Sequence, residues 1–126
     1  MLEDVSLDSM AFSANGKDVV LEFLDLYQGN SIGVIRCLSV CSFDYKNIFD
    51  NDDGFACYIE KVSCTRIEKA NTESFLNGIN FGFTASDGHV YRPGSENLWL
   101  LHVEGGEALI KIVCKTIEKN GIPIEE

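Results

Sequence analysis

Five residues, Asp50-Asn51-Asp52-Asp53-Gly54, form the densest run of oxygen ligands in the chain. Clustered carboxylates suit a hard cation such as calcium. Aligning Gly54 with the glycine of an EF-hand loop puts Asn51, Asp53 and Glu60 at ligand positions, but it puts Phe49 where the first oxygen ligand is required. The flanking residues read as strands rather than helices, so the run is expected to be a solvated turn and no metal is assigned. His102 and Glu104 lie two apart on a strand pattern and therefore share a face. A carboxylate beside an imidazole can make a general acid or base. No nucleophile accompanies them, so a structural pair at the strand end is expected. His89 is expected to flank a surface turn.

The cysteines are Cys37, Cys41, Cys57, Cys64 and Cys114. An odd number without Cys-x-x-Cys spacing fits neither a disulfide framework nor a zinc site. They are expected to be reduced and mostly buried, acting as small apolar side chains. Gly105-Gly106 has no strand-to-helix context, and no phosphate-loop, dinucleotide or nucleophile-elbow string occurs. No catalytic residue and no cofactor are expected.

The elements that must carry any site read as strands. Asn15-Gly16, Asp87-Gly88 and Gly105-Gly106 are hairpin signals between short apolar stretches, and no sustained helical period is present. Asn15-Gly16 predicts a two-residue type I′ loop between Ser6–Ala14 and Asp18–Tyr27. In the second arm Val19, Leu21 and Phe23 share a face.

Ser31–Phe43 is apolar on both sides: Ile32, Val34, Leu38 and Val40 on one face, Ile35, Cys37, Cys41 and Phe43 on the other. Such a strand must be covered on both faces or change partners near its middle. Phe55–Ile67 reads as a regular strand with Phe55, Cys57 and Ile59 opposite Tyr58, Val62 and Cys64. Residues 68–78 are the only plausible helical turn. Ile79–Ala85 alternates, and Leu98–Glu104 with Glu107–Glu118 forms a third hairpin, followed by a short return at Asn120-Gly121. The expected fold is one all-β domain over 1–126: an antiparallel meander of about seven or eight strands, arranged as a two-layer sandwich or a flattened barrel.

The chain carries 20 acids against 10 bases, a formal charge of −10. Six of the acids lie within residues 1–28, where Lys17 is the sole base. Such a surface repels nucleic-acid phosphates and anionic lipid, and attracts basic partners. No apolar run reaches the ~18 residues of a membrane-spanning helix, and the acidic start does not resemble a signal peptide. A cytoplasmic protein without nucleic-acid or membrane partners is expected.

The function expected from these features is non-enzymatic binding of a basic protein, by analogy with acidic immunity-type inhibitors. Asp18, Glu22 and Asp25 on the acidic hairpin, with the amphipathic Tyr91 and Trp99, are the candidate contacts. Core placement of Trp99 beside Leu101 and Val103 is the competing reading. The alternatives are a small-molecule-binding barrel or an enzyme assembled only in three dimensions, and a homodimer that buries an apolar sheet face.

Overall fold

The structure is a computed structural model, and it describes residues 1–47, 57–68, 83–84, 88, 90–91, 97–106 and 108–125. The strands are β1 (Leu2–Ser13), β2 (Asp18–Asp25), β3 (Ser31–Asn47), β4 (Cys57–Ile67), β5 (Phe83–Thr84), β6 (Val90–Tyr91), β7 (Leu98–Glu104), β8 (Ala108–Lys119) and β9 (Ile122–Pro123). Seven of them form one antiparallel sheet in the order β3-β2-β1-β4-β7-β8-β9, and β8 also pairs with β3. That last pairing closes the sheet into a six-stranded barrel, with β9 folded back on β8. The two runs β1–β2–β3 and β4–β7–β8 are joined edge to edge. A closed ring leaves no long edge strand to be protected.

Alternation alone does not account for the interior. Val19, Leu21 and Phe23 of β2 and Ala108, Ile110, Ile112 and Cys114 of β8 are buried, as strict alternation predicts. On β4, however, both Ile59 and Val62 are fully buried, three residues apart. Their partners on β1 are Val5 and Leu2, also three apart and in the same core. Between them Asp4 takes a left-handed φ of 52°. That backbone twist lets two successive residues on each strand face out, so the paired strands bend together. The regular alternation expected for Phe55–Ile67 is thus corrected.

A second bend of the same kind lies between β3 and β8. Cys37 and Val40 face in, opposite Ile117 and Cys114, with Ser39 at a φ of 54°. A bulge at Cys41 then shifts the register between Val40 and Ser42. The interior set of β3 therefore runs Ile35, Cys37, Val40 and Phe43. Cys41 packs instead with Ile67, Leu98, Leu100 and Val113 in a separate cluster. Cys37 and Cys41 do not share a face, contrary to the sequence reading. A bulge around Asp8 in β1 similarly moves the inward positions from Leu7 to Met10.

Two further details differ from expectation. The loop after β1 runs from Ala14 to Lys17, since Ser13 and Asp18 are the last paired residues. Ala14 joins Asn15 and Gly16 in the left-handed region, which converts the expected two-residue turn into a four-residue one. The two-residue loop with positive φ at both positions occurs instead at Asn120-Gly121, between Lys119 and Ile122. The acidic run at 50–54, the expected helical turn beyond Glu68 and His89 lie outside the described residues.

Candidate functional site

The bend at Asp4 builds a site on the outside of the barrel. Because Leu2 and Val5 point inward, Glu3 and Asp4 both point outward; because Ile59 and Val62 point inward, so do Glu60 and Lys61. These four side chains line an open cleft of about 220 Å³. Tyr58, next along β4, donates its hydroxyl to Asp4 Oδ1. That hydrogen bond, with burial and the nearby carboxylates of Asp4 and Glu60, pushes the Tyr58 phenol up to about 12.

The backbone fixes the corner from the other side. Gly105, in the turn after β7, lies against the Tyr58 carbonyl so closely that a Cβ there would sit 2.1 Å from its oxygen. Tyr27, at the tip of the β2–β3 turn, is 91% exposed and adds its phenol to the electrostatic surroundings of Tyr58. The corner thus combines three carboxylates, one ammonium and two accessible phenol rings. Such a set can hold a guanidinium or ammonium group by charge and by ring-face attraction.

The Asp4–Tyr58 contact predicts a titration signature. In a spectrophotometric titration of the folded protein, one tyrosine should ionise near pH 12, above the ordinary value of 10. Asp4→Asn removes the acceptor charge that holds the proton on the phenol, so that transition should move down toward 10. An unchanged titration in Asp4→Asn would show that the contact is not formed.

The residues singled out from the sequence are placed differently. Asp18 accepts a hydrogen bond from Ser39 N at 3.1 Å, bracing the β3 bend, and Asp25 Oδ1 accepts from Tyr27 N at 3.1 Å in the turn. Glu22 lies on the outer face of β2, opposite Val34. Tyr91 belongs to β6 and pairs with Phe83 of β5. Trp99 is only 7% exposed and sits in the interior, with the Arg66 guanidinium 5.2 Å from its ring centroid. Asp18, Glu22 and Asp25 thus stand along β2, while Trp99 packs in the interior.

His102 and Glu104 stand on the outer face of β7, opposite Lys111 and Leu109 of β8. Among the cysteines, burial and the neighbouring Cys114 push the Cys64 thiol up to about 11. A hydrogen bond to Cys37 and then burial push Cys114 upward too. Both therefore stay protonated at neutral pH, the opposite of what nucleophilic catalysis requires. Among the described residues no group of three or more His, Cys, Asp or Glu could hold a metal ion.

Charge is divided around the ring. The contiguous strands β2, β1 and β4 carry seven acids (Glu3, Asp4, Asp8, Asp18, Glu22, Asp25 and Glu60) against Lys61 and Arg66. The other half, β7, β8 and β3, carries Asp44, Glu104 and Glu118 against Arg36 and four lysines. The acidic corner lies within the acidic half.

No curated protein matches the chain. Two chains among the solved structures do. One is an uncharacterized protein from Neisseria gonorrhoeae, 21% identical over 95% of this chain and 93% of that one, with a TM-score of 0.64. At that identity the likeness is one of fold. At the level of sequence, a family model described as "-like" matches residues 1–121, and the chain belongs to that family.

Proposed function

We propose that this chain is a non-enzymatic binding protein whose acidic half-barrel docks a basic protein, with the corner formed by Glu3, Asp4, Tyr58 and Glu60 at the centre of contact. The observation that carries the reading is the segregation of charge: seven acids stand on three adjacent strands, and five of the seven bases in the six barrel strands stand on the other three. A one-signed surface steers an oppositely charged partner toward itself and raises the association rate. Exposed tyrosines beside carboxylates supply the amphipathic anchors on which arginine-rich surfaces pack.

Side chains from all six barrel strands meet in one buried cluster, which favours recognition at the surface over an enclosed ligand. The form put forward is an acidic immunity-type inhibitor that covers a cationic site on its target.

The test uses an octa-arginine peptide as the probe. Binding should weaken steeply as salt is raised, since surface charges are screened over about 10 Å at 0.1 M ionic strength. Asp4→Lys combined with Glu60→Lys should reduce affinity by roughly tenfold or more, equivalent to about 1.4 kcal/mol per factor of ten. Lys111→Glu, in the other half of the ring, should leave it unchanged or improve it. Equal losses in both variants, or binding indifferent to salt, would refute the proposal.

A further inference from the structure

The outer face of β2 and β3 poses a separate question. Along the stretch where β2 and β3 pair, the inward Val19, Leu21, Phe23, Ile35 and Cys37 are fully buried, yet Val20 and Leu24 of β2 and Val34 and Leu38 of β3 are only half-buried on the outside, and Ile32 is 40% exposed. Five outward aliphatic side chains on two adjacent strands form a stripe that water covers poorly. Inside the stripe stand one acid and one base. Glu22 is opposite Val34, and Arg36 is opposite Val20, so the two charges occupy diagonal positions in the paired strands. Arg36 reaches Glu118 only at 4.0 Å, with about half of its side chain exposed.

We infer that this stripe is the contact surface of a symmetric homodimer. A two-fold axis lying across the stripe between Glu22 and Arg36 sets the Glu22 of each copy on the Arg36 of the other. The aliphatic residues of the two copies then close over the paired charges. The pattern is self-complementary, as an isologous interface requires. A basic partner would meet Arg36 with like charge, and a wholly apolar one would bury the Glu22 carboxylate with nothing across the interface to offset its desolvation, which is costly. A second copy of this chain satisfies both.

Sedimentation velocity over a concentration series into the high micromolar range tests the inference. The wild-type chain should move from monomer to dimer. Glu22→Arg and Arg36→Glu should each weaken association by roughly tenfold, and the double swap should restore it. Val34→Asp, checked by circular dichroism for an intact fold, should abolish the dimer. A wild-type chain that stays monomeric overturns the inference, and so does a double swap that fails to recover association. The octa-arginine test reads the Asp4 corner through Asp4→Lys with Glu60→Lys, which leave the stripe untouched, so the two proposals fail or succeed separately.

Discussion

Phe23→Ala is expected to destabilise the fold by about 3–5 kcal/mol, a large share of the ~5–15 kcal/mol that holds a typical domain together. Phe23 is the largest of the fully buried side chains among the described residues. It projects from β2 into the barrel between Leu7 of β1 and Gly33 of β3. Gly33 contributes no side chain, and the space a Cβ would take there is already approached by Leu2 Cδ1 at 3.3 Å.

The wall around this ring is held by hydrogen bonds on both edges of β2, so it cannot collapse inward to fill the void. The cavity should therefore persist, which places the variant at the upper end of large-to-small costs. Chemical denaturation should show a lower midpoint with an unchanged slope. Phe23→Leu, which refills most of the volume, should cost under about 1.5 kcal/mol. A loss under 1 kcal/mol for the alanine variant would mean that the interior is not packed around this ring.

Much of the architecture was legible in the residue pattern. Val19, Leu21 and Phe23 alternate as half-buried strands do, and their burial follows the sequence reading; Ala108, Ile110, Ile112 and Cys114 are buried likewise, with Val113 buried in a separate cluster. Ser31–Phe43 had to be covered on both faces or change partners. It pairs with β2 along its first part and with β8 from Ile35 onward. The ring closure was not legible, because no local signal reports that β3 and β8, more than sixty residues apart, meet edge to edge.

The candidate site was missed for a related reason. Glu3-Asp4 and Glu60-Lys61 each separate two apolar residues by three positions instead of two. Read as simple alternation, that spacing looks like a polar strand end. Read as a pair of bends, it signals a corner, and the corner carries the charges outward. Asp18 and Asp25 drew attention through charge alone, yet the structure employs both as acceptors for backbone N–H groups, a use of short acidic side chains common beside turns. Trp99 stood near a loop in sequence, but its inward parity with Leu101 and Val103 placed it in the core.

The same corner supplies the second large effect. Gly105→Ala should destabilise the protein by about 2–3 kcal/mol, at the high end of overpacking costs. A Cβ at this position would lie 2.1 Å from the Tyr58 oxygen, 3.1 Å from the Tyr58 carbonyl carbon and 3.3 Å from the Ile59 Cα. All three are backbone atoms, so no side-chain rotation can relieve the contact. Relief requires β4 to move away from the β7–β8 turn, and β4 is held by β1 on one edge and β7 on the other.

Gly106, the next residue, has nothing within 4 Å of its would-be Cβ, which makes Gly106→Ala the matched control with an effect near zero. The displacement in Gly105→Ala falls on the residue that carries the Tyr58 phenol, so the damage should not be confined to stability. The late-ionising tyrosine should titrate closer to its ordinary value as the hydroxyl loses Asp4, and octa-arginine affinity should fall with it. If Gly105→Ala proved as stable as Gly106→Ala and kept the raised tyrosine, the turn would not press on β4. If it lost stability while both site readouts held, the corner would be positioned by β1 and β4 alone.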